Sequence, residues 1–134
     1  MTGGNRERNL RDELARAEEC LREAETLRDA GLPYGACSRA YYAVFHAAQA
    51  LLFSVGIESR SHRGVVGLVG EHFVKPGVLG SDVGRLLARM QRDREDADYL
   101  AGAVFTDDEA NEMVRNAARV LAEVRRVVSS GSKG

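Results

Sequence analysis

Apolar residues recur along this chain at steps of three and four, with charge between them. Leu10, Leu14, Ala17, Leu21 and Ala24 form such a stripe, which predicts an amphipathic helix over about Arg6 to Ala30. "AGLPYG" interrupts it: Gly31 is placed to end that helix and Pro33 to open the next. From about Pro33 to Val55 the pattern changes. Ala36, Ala40, Ala43, Val44, Ala47, Ala50 and Leu51 make this segment apolar around most of its circumference, the mark of a central buried helix.

After Gly56, "ESRSHRG" reads as a loop with Ser61 as a helix cap. A short helix is predicted from about His62 to Val74, ended by "KPG". Its Gly64, Gly67 and Gly70 recur every third residue, which predicts close packing against a neighbour. A fourth helix fits about Ser81 to Leu100, with Val83, Leu86, Leu87 and Met90 as its stripe. A fifth begins at Thr106, whose spacing to Glu109 is that of a capping box. Its stripe runs through Ala110, Met113, Val114, Ala117, Leu121 and Val124 to Val128. No useful stretch alternates with period two. The fold class is therefore all-α: an antiparallel up-and-down bundle of four longer helices and one short one, in one domain over residues 1–128. Residues 129–134, small and polar, read as a flexible C-terminal tail.

Polar residues interrupt the buried second helix in "SRAYYAVFHAAQALL". At about 100° per residue, Arg39, Tyr42, His46, Gln49 and Phe53 gather on one narrow arc. Arg39 and His46 stand roughly 10 Å apart along the axis, and helical side chains lean toward the N-terminus. Their heads can therefore meet one anion or one carboxylate. In the fourth helix, "MQRDREDADYL" continues the stripe onto Arg94 and brings Asp98 to its edge. An arginine there needs a partner, because a buried unpaired charge is costly. Asp98 is placed to neutralise Arg94 or Arg39, so an internal ion-pair network with His46 as a packed core residue is one outcome. A cleft is the other.

The totals narrow the function classes. The chain has 134 residues and a formal net charge of −1, so no overall pull draws it toward nucleic acid or anionic lipid. The densest basic cluster is local: His62 and Arg63, beside Arg60, at a predicted helix start where phosphate is favoured. Cys20 and Cys37 have no metal-ligand spacing and read as small apolar residues of a reducing compartment. "GVVGLVG" lacks the spacing of a dinucleotide loop, and no zinc, calcium or Walker-type motif is present. No cofactor and no metal site are expected. "MTGGNRERNL" lacks a signal-peptide apolar run, and no run is long enough to span a membrane, so a cytoplasmic protein with no membrane partner is expected.

Three blocks, "SRAYYAVFHAAQALLFSVGIESRSHRGV", "HFVKPGVL" and "REDADYLAGAVFTDDEA", resemble in order and spacing the short stand-alone prokaryotic HEPN (higher eukaryotes and prokaryotes nucleotide-binding) proteins. The resemblance covers about Leu10 to Val128. It implies a helical bundle that forms a homodimer. In many members it implies a metal-independent endoribonuclease, acting as a toxin beside a small nucleotidyltransferase antitoxin or in anti-phage defence. Active members share an arginine, four to six intervening residues and a histidine, a pattern that Arg39 and His46 match with six. The resemblance makes these two the catalytic pair: His46 moves protons, and Arg39 holds the phosphate where RNA's own 2′-hydroxyl attacks. Tyr42, Gln49, His62, Arg63, Arg94 and Asp98 are the candidate binding residues around them. Ala40 stands where active members carry a polar residue, and Ala48 where the toxins carry the tyrosine that the antitoxin adenylylates. A second outcome is thus a non-catalytic nucleotide- or partner-binding module working with a nucleotidyltransferase. A third is a dimeric scaffold.

Overall fold

The computed structural model describes residues 3–59, 61–99 and 105–131, without the side chains of His62 and residues 96–99. Five helices follow one another: α1 (Gly3–Asp29), α2 (Pro33–Ser54), α3 (His62–Val69), α4 (Ser81–Tyr99) and α5 (Asp107–Gly131). There is no strand among the described residues, and the fold is an all-α bundle. No helix among the described residues is long and apolar enough to cross a membrane.

α2 is the pivot, touching α1, α3, α4 and α5. Ala36, Ala40, Ala43, Ala47, Ala50, Leu51 and Leu52 are all fully buried on it. Its contact with α1 is the most extensive in the bundle. α1 contributes Ala17, Cys20 and Ala24 to the core, with Leu14, Leu21 and Leu27 packed at the margin. Small residues on both helices let the two axes approach. The loop between them is only three residues long, so α1 and α2 form an antiparallel hairpin. α4 and α5 also run antiparallel, bridged by Arg89–Glu112 at 3.5 Å and by Asp82–Arg119.

The helix ends follow local chemistry. Gly31 and Gly56 adopt φ of +75° and +77°, the left-handed geometry that ends α1 and turns the chain out of α2. Thr106 and Glu109 form the reciprocal box: the Glu109 amide donates to Thr106 Oγ1 at 3.1 Å, and the Thr106 amide donates to Glu109 Oε1 at 3.2 Å. Ser61 Oγ accepts from the Gly64 amide at 2.9 Å and caps α3.

Three features differ from the sequence expectation. The third helical segment is not uniform, because α3 passes at Gly70 into a π-helical turn over Gly70–Val74. The triplet of glycines is not a packing seam. A Cβ at Gly67 or Gly70 would meet open space, while one at Gly64 would collide with Ser59 and Ser61 Oγ at 2.7 and 2.8 Å. Gly64 therefore serves the cap, and the close helix approach lies at Gly84 of α4, where a Cβ would stand 2.9 Å from Val74. Lastly, α5 continues to Gly131, three residues past the expected boundary at Val128; residues 132–134 lie outside the described residues.

Leu51→Ala is expected to destabilise the bundle by about 2–5 kcal/mol, since the side chain is fully enclosed. Thr106→Ala should cost only ~1 kcal/mol through the lost cap. Urea titration followed by circular dichroism separates the two; equal losses would contradict the central place assigned to α2.

Candidate functional site

Along α2 the polar arc opens at the seam with α1. Arg39, Tyr42 and His46 line one side of an open cleft of about 330 Å³, and Arg16, Glu19, Cys20 and Glu23 of α1 line the other. The α1 residues have a simple origin in sequence. Glu13, Arg16, Cys20 and Glu23 each sit one position before a member of the stripe Leu14, Ala17, Leu21, Ala24. The line they form therefore flanks the apolar stripe, and helix pairing carries it against the polar arc of α2.

Two contacts tie the helices together there. His46 Nδ1 lies 2.6 Å from Glu13 Oε2, with both side chains about one-fifth exposed. Arg39 Nε stands 3.9 Å from Glu23 Oε2, both nearly half-exposed. The first is a close, partly dehydrated contact; the second is a loose surface pair of the kind worth little energetically. The Arg39 guanidinium thus keeps access to solvent, whereas the His46 ring is held. Phe45 packs edge-on against that ring, with centroids 5.4 Å apart.

The remaining candidates are dispersed. Tyr42 faces the cleft and also takes the Arg94 guanidinium over its ring, 5.6 Å from the centroid. Arg94 donates to Ser38 Oγ at 3.2 Å. It lines a separate small pocket with Cys37, Tyr41 and Phe105, so it stands behind Tyr42 rather than in the cleft. Gln49 Oε1 is buried and has no hydrogen-bond partner among the described residues. Arg63, at the start of α3, is exposed and pairs with Glu95 of α4 at 3.2 Å, away from the cleft. The side chains of His62 and Asp98 lie outside the described residues. Among the described side chains, the acids that meet Arg39 and His46 are Glu23 and Glu13 of α1.

The cleft is electrostatically mixed: Arg39 and His46 of α2 face Glu19 and Glu23 of α1, with Arg16 beside the two acids. Such a surface does not grip a polyanion at every point. It offers a cationic spot at Arg39 beside the His46 ring, bounded by acceptors. Burial, aided by Glu23 and Glu19, pushes the Cys20 thiol up, while Arg39 pulls the other way. Burial pushes the Cys37 thiol up to about 12, with Glu109 and Asp93 adding to the shift.

The chain matches the HEPN domain family model over residues 10–127. It belongs to the HEPN family. Among HEPN relatives, a UPF0332 protein of Thermotoga maritima is 30% identical over 113 residues, 84% of this chain and 86% of that one. A Methanocaldococcus jannaschii protein with the name "Putative toxin MJ0605" is 32% identical over 112 residues, 84% and 83% of the two chains. The crystal structure of an archaeal HEPN homologue superposes with a TM-score of 0.72 at 24% identity, covering 89% of this chain and 97% of that one, a likeness of fold. The HEPN match spans all of α2 and its cleft.

Both thiols should stay largely unmodified by a disulfide reagent at about pH 8 in the folded protein and react fully once it is unfolded. The sign for stability follows. A thiol raised in the folded state contributes its full stabilisation below the unfolded value of 9.0, and loses it as pH rises toward about 12. Cys37→Ala should accordingly flatten the alkaline fall in stability between those limits, measured by urea titration at stepped pH. Rapid stoichiometric labelling of the native protein would contradict the burial of both cysteines.

Proposed function

We propose that this HEPN protein is a metal-independent endoribonuclease of the toxin or defence class, working as a homodimer through Arg39 and His46. What carries the reading is that these two residues, seven positions apart on one helix, open onto the same cleft with Tyr42 between them. The relative named as a putative toxin supports the biological class.

The chemistry needs few groups. His46 takes the proton from a ribose 2′-hydroxyl, and the 2′-oxygen forms its bond to the adjacent phosphorus. Arg39 binds the phosphate and stabilises the charge that builds on its oxygens in the pentavalent transition state. The bond from phosphorus to the 5′-oxygen breaks, and that oxygen leaves with a proton from the protonated histidine of the second copy across the dimer. The products are a 2′,3′-cyclic phosphate and a free 5′-hydroxyl. Tyr42 offers a ring beside the reacting phosphate, and Arg94 supports that ring from behind. Gln49, one turn beyond His46, and the α3 start at His62 and Arg63 are the outer binding positions. Asp98, four residues after Arg94 in α4, is a further binding position of this reading. A small nucleotidyltransferase is the matching antitoxin partner.

The mixed charge of the cleft favours a second reading, in which the same groups bind a nucleotide without cutting RNA. The two separate cleanly. Purified protein in EDTA should cut single-stranded RNA and leave cyclic phosphate ends. His46→Ala should lose about 10²- to 10⁴-fold of that rate with its helical circular dichroism unchanged. Arg39→Ala should also lose cleavage. Nucleotide binding by calorimetry, with no cleavage by the wild-type protein, would overturn the ribonuclease reading in favour of the binding module.

A further inference from the structure

A general base must present a lone pair to its substrate, and an imidazole has two nitrogens that compete for that role. We infer that Glu13 is the positioning residue that settles which nitrogen of His46 faces the cleft. The inference rests on the ribonuclease reading for its catalytic consequence, though not for its geometry.

Glu13 Oε2 lies 2.6 Å from His46 Nδ1. An ionised carboxylate accepts hydrogen bonds and donates none. The proton in that contact therefore sits on Nδ1, which donates to Glu13. In the neutral ring the lone pair is then on Nε2. His46 lines the cleft and Glu13 does not, so the carboxylate stands behind the ring and Nε2 is the nitrogen left for a ligand. Both side chains are about four-fifths buried, which limits competition from water for the bond. Phe45, packed edge-on at 5.4 Å, fixes the tilt of the ring. The contact joins residues 33 apart in sequence and exists only because the α1–α2 hairpin sets their register. A carboxylate in this position holds one tautomer and one ring orientation, as an orienting acid does behind a catalytic histidine generally.

The test has a spectroscopic arm and a kinetic arm. Long-range proton–nitrogen correlation spectra of ¹⁵N-labelled wild-type protein should show neutral His46 protonated at Nδ1. In Glu13→Gln the amide can turn its NH₂ toward Nδ1, and the Nε2-protonated form should appear. Glu13→Asp, which keeps the carboxylate on a shorter arm, should retain the wild-type tautomer in part. With RNA, Glu13→Gln should lower kcat about ten- to hundred-fold and leave KM nearly unchanged, because Glu13 does not line the cleft; Glu13→Asp should recover part of the loss. A wild-type His46 protonated at Nε2 overturns the inference, and so does a Glu13→Gln enzyme with undiminished kcat. If the wild-type protein cuts no RNA, the ribonuclease reading fails, while the tautomer spectrum still decides for or against Glu13.

Discussion

The bundle depends on the burial of α2 by small residues. Ala36, Ala40, Ala43, Ala47 and Ala50 leave no room for a thick layer between this helix and its neighbours. α1 answers with Ala17, Cys20 and Ala24, so the two helices meet closely over most of their length. A helix enclosed so fully has few places for polar groups. The arc of Arg39, Tyr42 and His46 escapes burial because it lies at the rim of the α1 contact. There the long side chains of Arg16, Glu19 and Glu23 reach over the seam without filling it. The cleft is thus a by-product of close helix packing flanked by long side chains.

That origin explains the unequal treatment of the two central residues. His46 is drawn toward the packed region, held by Glu13 and braced by Phe45. Arg39 stands nearer the loop that joins α1 to α2, with a loose acidic neighbour in Glu23. In the proposed ribonuclease, a held base and a solvent-accessible cation would suit a reaction in which proton transfer demands a set geometry and charge stabilisation tolerates some adjustment. Carboxylates around the cationic spot also limit how strongly the cleft attracts polyanions in general. Such a device would confine phosphate to one position.

Helix α4 is a separate layer. Arg94 reaches α2 at Ser38 and lies over Tyr42, which makes Tyr42 the link between the cleft and the rest of the bundle. Arg63, at the start of α3, pairs with Glu95 of α4 and does not line the cleft. Arg63 and the polar arc of α2 accordingly lie apart.

The sequence alone determined the helices, their caps and the arc. A three-to-four-residue period, Gly31, the Thr106–Glu109 box and the alanine-rich α2 are local or nearly local signals, and local chemistry settles them. The HEPN family was legible for the same reason, since its blocks run contiguously along α2 and after it. Only the tertiary structure decided which acids meet Arg39 and His46. α1 carries many glutamates and arginines on its polar side, all alike to a helical wheel. The choice of Glu13 and Glu23 comes from the register and closeness of the α1–α2 hairpin. Those depend on side-chain volumes summed over two helices, and no single stretch of sequence states them.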